Sequence, residues 1–132
     1  MTVFCTLCSA EKDRSGGELP AIQRYHSHRI NSVYIAALSL GIKFLILSRK
    51  YDILEPSDPI PYYAHLLQSS EVPEHSKMVA EQLEAHGVKD LVVFARPVSD
   101  DENAKPYFDC IRIASQKAGI ELKFVDLLTN SA

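Results

Sequence analysis

No apolar run in this chain approaches the ~20 residues that a membrane-spanning helix needs, so no membrane association is expected. The N-terminus, Met1-Thr2-Val3-Phe4-Cys5, lacks the basic stretch that opens a secretory signal. Cysteine is scarce and odd in number, with Cys5, Cys8 and Cys110 only, which argues against a disulfide framework. Together these absences predict a cytoplasmic protein. Positive charge is not in excess either. Fourteen Lys and Arg against seventeen Asp and Glu give a net charge of −3, so whole-molecule steering onto nucleic acid is not expected. Internal repeats and low-complexity segments are also missing. Gly16-Gly17 lacks the G-K-[ST] ending of a Walker loop, and no cofactor is implied.

What remains is ordinary globular material. A length of 132 residues suits one domain, and 46% hydrophobic with 23% charged residues is enough to build a core. The charge is uneven along the chain. Residues 1–66 carry seven basic and six acidic side chains, whereas residues 67–132 carry seven and eleven. An anion-binding surface should therefore draw on the first half.

The hydrophobic pattern predicts alternating strands and helices. Val3–Cys8, Phe44–Leu47, Leu91–Ala95 and Leu122–Leu127 are short apolar runs of strand length. Ser9 to Pro20 reads as a loop. Ser27 suits a helix cap, ahead of Ile30, Val33, Tyr34, Ala37 and Leu38 on one helical face, with Gly41 to stop it. Pro73–His86 is a second helix, with Val79 and Leu83 on its apolar side. A third begins after Asn103, carries Tyr107, Cys110, Ile111, Ala114 and Ala118 as a stripe, and ends at Gly119. Pro61–Gln68 suits a short helical turn. The order predicts a single three-layer α/β domain: a mostly parallel sheet of about four strands flanked by helices. Ligands of such sheets bind outside the carboxyl ends of the strands. Those ends are Cys8-Ser9, Ser48-Arg49-Lys50-Tyr51 and Arg96-Pro97.

The stretch from Leu45 to Tyr63 stands out. It starts as a buried strand and breaks into polar, basic and aromatic residues, and Pro56, Pro59 and Pro61 then hold it extended or turned. The stretch LILSRKYDILEPSDPIPYYAHLL resembles an "ILSakyGLl-P-d-i-pYd-L" signature found in a family of small, largely uncharacterised α/β proteins. Related patterns occur in the YaaA peroxide-stress proteins and in an accessory domain of archaeosine synthases. Cys8, Ser9 and Lys12 match the "CS-x-x-K" opening of that signature. Leu19-Pro20-Ala21 matches the next segment, and Tyr25 with Ser27 matches its "Y-x-S" element. Asp52 stands where the family has glycine. The resemblance covers residues 3–66 by motif and implies a nucleotide or nucleic-acid context.

Several groups could carry chemistry. Ser48, Lys50 and Tyr51 suit a polar pocket in which hydroxyl and ammonium hold an anion or a base oxygen and the ring stacks; the alternative is a plain strand-to-loop exit. Cys8, Ser9 and Lys12 follow the first strand, where backbone N–H groups can cradle an anion. A nucleophilic Cys8 needs a basic neighbour, with Lys12 and His26 as candidates; otherwise it is a small buried thiol. Cys5 and Cys8 form a C-x-x-C, but residues three apart on a strand face opposite ways, and no metal site is expected. Arg24-Tyr25-His26-Ser27-His28-Arg29 is the densest basic and aromatic cluster. Arg24 and Arg29 suit phosphate contacts and Tyr25 suits base stacking; the alternative is a solvated loop with Tyr25 folded onto the core. Of Tyr62 and Tyr63, one should pack inward and the other wall the pocket, followed by His65. Ser99-Asp100-Asp101-Glu102 reads as a solvated loop.

Three functions follow. The leading one is binding of a small-molecule nucleotide or nucleobase, or of a nucleic-acid segment, at the carboxyl ends of the first two strands. The second is an enzyme acting on a nucleoside or nucleic acid, by glycosidic-bond hydrolysis or base modification, with Asp52, Asp58 or His26 as acid or base. The third is a non-catalytic protein-interaction domain.

Overall fold

The computed structural model describes residues 1–9, 12–63, 67–96 and 104–126. Pro97, Asn103, the acidic stretch 99–102, His65 and Leu127 lie outside these residues, as does part of the Pro61–Gln68 turn.

Five strands form one mixed sheet. β1 (Thr2–Leu7), β3 (Lys43–Ser48), β6 (Asp90–Ala95) and β7 (Glu121–Asp126) are the long apolar runs. They pair in parallel: β3 with β1, β1 with β6, and β6 with β7. β4 (Asp52–Leu54) adds an antiparallel edge against β3, giving the order β4-β3-β1-β6-β7. Two further short strands, β2 (Glu18–Pro20) and β5 (Pro59–Pro61), make a separate antiparallel ribbon. The expectation of a mostly parallel sheet of about four strands thus holds for β3, β1, β6 and β7. Ser9–Pro20 and the proline-rich stretch after Ser48 are not plain loops, because each contributes a strand.

Helices cover both faces. α1 (Ala21–Arg24) is a single turn. α2 (His28–Leu40) begins at Ser27, whose hydroxyl accepts from the Ile30 N–H, and ends at Gly41 with φ 67°. It packs Ile30, Val33 and Ala37 onto Phe44 and Ile46. Leu38, expected on that buried face, is 62% exposed; the face turned to the sheet is Ile30, Val33 and Ala37, with Tyr34 half-buried at its edge. α3 (Val72–Ala85) follows a short 3-10 turn at Ser69–Glu71, and α4 (Lys105–Ala118) ends at Gly119. These two helices cover the other face. There Val79, Leu83, Cys110, Ile111 and Ala114 meet Val3, Cys5, Leu45, Leu47, Leu91 and Val93. β1 and β3 are buried on both faces, as parallel strands between helical layers must be. Among the described residues no helix is long and apolar enough to cross a membrane.

The topology contains a switch in strand order. From β1 the chain passes by α1 and α2 to β3 on one side. It then returns through α3 to β6 on the other side of β1. The neighbouring strands β1 and β6 therefore lead on toward opposite edges of the sheet, to β3 and to β7, and such a switch in strand order is where ligands of these sheets bind. Cys8 stands at that point.

Candidate functional site

The β1–β3 ladder continues one residue past β1: the Cys8 N–H donates to the Leu47 carbonyl at 2.9 Å. This holds Cys8 at the sheet rim, beside the end of β3. Its thiol lies 3.6 Å from the Tyr107 hydroxyl and in hydrogen-bond contact with that of Tyr63. Tyr107 sits in the first turn of α4, and in a parallel β-α unit a helix starts at the carboxyl edge of the sheet. Its hydroxyl also accepts from the Leu67 N–H at 3.1 Å.

Ser48, the last residue of β3, is fully buried. Its hydroxyl lies 3.2 Å from the Tyr25 hydroxyl and 3.0 Å from that of Tyr63, and it accepts from the Tyr51 N–H at 3.3 Å. The two tyrosine hydroxyls also bond to each other, closing a triangle of three hydroxyl groups. The rings of Tyr25 and Tyr51 meet that of Tyr63 edge-to-face, at centroid distances of 6.3 and 5.5 Å.

Lys12 is drawn into the same place by a β-bridge to Tyr25. Its ammonium lies 4.5 Å from the centre of the Tyr63 ring and 5.8 Å from that of Tyr25, within cation–π range. Burial lowers its pKa below the usual lysine value, and negative charge on Cys8 works the other way. The three tyrosines shift upward. Burial is the largest cause for Tyr25, Tyr63 and Tyr107, followed by the nearby Cys8. They therefore remain neutral hydroxyl groups near neutral pH.

On the other side of the β3–β4 hairpin lies a cavity of about 310 Å³, lined by Arg49, Lys50, Asp52, Glu71, Glu74 and His75 over Leu67 and Met78. Asp52 closes the hairpin with φ 59°, the left-handed conformation that asparagine and aspartate tolerate better than most residues. His75 bridges the Asp52 carboxylate, 2.7 Å from Nδ1, and the Ser48 carbonyl, 2.9 Å from Nε2. Ser48 thus presents its hydroxyl to the tyrosines and its carbonyl to His75. Arg49 pairs with Glu71.

The structure brings together Cys8, Lys12, Tyr25, Ser48 and Tyr51 of the sequence candidates. Ser9 follows Cys8 and is half-buried. Lys50 is exposed at the hairpin tip, its ammonium 5.5 Å from the Tyr51 ring centre. Tyr63 packs inward and is itself the tyrosine of the site, whereas Tyr62, expected to wall the pocket, is exposed, with Arg14 5.9 Å from its ring centre. Arg29 is exposed on the first turn of α2.

Arg24 is a correction. Expected as an outer phosphate contact, it is completely buried, and its guanidinium donates to the carbonyls of Asp13, Ser15, Gly17 and Ile60. The supposed acids and bases are engaged as well. Asp52 pairs with His75, Asp58 accepts from the Glu55 N–H at 2.8 Å, and His26 lies 3.5 Å from Asp13. Among the described residues no three His, Cys, Asp or Glu side chains gather as a metal site.

Sequence reasoning missed His75 and the polar role of Tyr107. Both had a signal. His75 continues the Val79–Leu83 stripe back by one turn, and a polar residue on a buried stripe needs a partner. Tyr107 occupies the first turn of its helix, the end that must reach the strand carboxyl edge. No protein-family model, curated protein or solved structure matches this chain.

Proposed function

We propose that this protein binds a nucleotide or nucleobase-like ligand at the carboxyl ends of β1 and β3. The observation that carries the reading is the Lys12 ammonium held against the faces of Tyr63 and Tyr25, above a buried triangle of tyrosine and serine hydroxyls. Buried hydroxyls in an aromatic wall suit the oxygen and nitrogen edges of a heterocycle. An ammonium at the rim suits a ring carbonyl or a phosphate oxygen. Lys50 over Tyr51 extends the same combination of cation and ring toward solvent. The carboxyl edge of the sheet is where ligands of such folds bind.

Thermal denaturation against free bases, nucleosides, nucleotides and short single-stranded oligonucleotides tests the reading. A ligand at 100 times its dissociation constant adds about 2.7 kcal/mol, a readily seen rise in midpoint. The expected outcome is a rise with at least one heterocyclic compound, lost in Lys12→Met and reduced in Lys50→Ala. No rise with any compound overturns it. A rise that falls steeply with salt identifies phosphate contacts, and a salt-insensitive rise points to the base.

A further inference from the structure

We infer that Cys8 is a nucleophile of this site, acting on a ligand carbon doubly bonded to oxygen or to a ring nitrogen. The inference rests on the binding reading above and adds a covalent step to it. Cys8 differs from the other two cysteines in its surroundings. Cys5 and Cys110 are fully buried in the α3–α4 core. Cys8 is partly exposed at the rim of the sheet, one residue past the end of β1 and beside the end of β3. Its sulfur is met by the hydroxyls of Tyr107 and Tyr63, and it interacts electrostatically with Lys12.

That set of neighbours is the one a thiolate addition requires. Two neutral hydroxyls, and the ammonium that Lys12 becomes on taking up the thiol proton, can each donate to the sulfur once it is a thiolate. They can equally donate to an oxygen or nitrogen gaining charge beside it. Lys12, bridged to Tyr25 and held against the Tyr63 ring whose hydroxyl meets the sulfur, is the basic group placed to take up the thiol proton, and burial lowers its pKa in the direction that eases the transfer. A further feature stands outside this cluster. Thr6 is two residues back on the same strand face and 2% exposed, and its hydroxyl has no hydrogen-bond partner. A buried hydroxyl without a partner, on the strand face that leads to Cys8, is an unmet hydrogen-bonding group on the approach to the site.

The step balances without a co-reactant. The thiol proton passes to the Lys12 amine, and a sulfur lone pair forms the C–S bond. The π pair of the C=O or C=N moves onto its heteroatom, which receives hydrogen bonds from the Lys12 ammonium and a tyrosine O–H. The product is a tetrahedral adduct on Cys8.

Iodoacetamide and p-nitrophenyl acetate are the probes, used on the folded full chain with peptide mapping by mass spectrometry. Cys8 alone should be alkylated at pH 7, at least tenfold faster than free cysteine, while Cys5 and Cys110 react only after unfolding. p-Nitrophenyl acetate should release one equivalent of p-nitrophenolate per chain in a burst that is absent in Cys8→Ser. Lys12→Met should slow alkylation to the free-cysteine rate or below. The wild-type comparison with free cysteine needs no variant to fold. Alkylation of Cys8 no faster than free cysteine overturns the inference, as does the absence of a burst. The ligand panel on Cys8→Ser separates the two readings. Midpoint rises retained there, with slow alkylation in the wild type, remove the nucleophile and leave the binding reading standing. Fast alkylation with no rise from any compound overturns the binding reading instead.

Discussion

Arg24 shows how a single side chain can read one way in sequence and serve another purpose in the fold. It lies in a basic and aromatic cluster, where a solvated arginine is the common case. In the structure its planar fork spans two segments, with donor–acceptor distances of 2.6 Å to the Asp13 carbonyl, 2.7 Å to that of Gly17 and 3.2 Å to that of Ile60. Residues 13–17 have few backbone partners of their own, and the guanidinium supplies them. Its charge stays with these carbonyls and is not available to a phosphate. Arg24→Met should therefore destabilise the protein by about 3 kcal/mol or more, because several charge-assisted hydrogen bonds are lost together. Arg24→Lys should recover little, since an ammonium cannot reproduce the fork. Denaturant midpoints at constant slope measure both. A loss below about 1 kcal/mol in the methionine variant would mean that water replaces the guanidinium at these carbonyls.

The β3–β4 hairpin governs how the site is presented. Asp52 adopts a left-handed backbone and recovers that cost through His75, and His75 in turn holds the Ser48 carbonyl. Asp52→Ala keeps the strain and loses the pairing, so it should cost about 2 kcal/mol. Asp52→Gly loses the pairing but accepts φ 59° without strain, so it should cost measurably less. Equal thermal shifts for the two variants would show that the left-handed turn carries no strain. Elements of this kind are the ones that sequence reading misses. β1, β3, β6 and β7, with α2, α3 and α4, are legible because their apolar spacing is local and repeated. β2, β4 and β5 have three residues each, and two of them contain prolines that usually argue against a strand. The pairing of β2 with β5 joins Glu18 to Pro61, a distance along the chain at which periodicity carries no information. The candidate site was legible in part for the same reason. Ser48, Tyr51 and Cys8 follow from strand ends, but the inward turn of Tyr63 against Ser48 depends on that distant pairing.

At the scale of the whole molecule, the sheet separates two apolar cores, and the larger one encloses two thiols. Cys5 in β1 and Cys110 in α4 are each pushed up to about 12 from an ordinary value of 9.0, burial being the largest cause in both. This makes stability sensitive to alkali. Below pH 9 both thiols are protonated in the folded and the unfolded chain, so they add no pH dependence. Between pH 9 and about 12 the unfolded chain releases these protons and the folded chain retains them. Unfolding is then favoured by about 1.4 kcal/mol per pH unit for each thiol. The three site tyrosines act in the same direction above pH 10, since each is raised by burial. Unfolding free energies measured under reducing conditions should be level across pH 7–8.5 and fall steeply from pH 9 to 11. Cys110→Ala should lower the starting stability by opening a small cavity, and it should also make that fall shallower. A wild-type profile that stays flat to pH 11 would mean that the larger core admits hydroxide and water around these thiols, contrary to the sealed packing of β1 against α4.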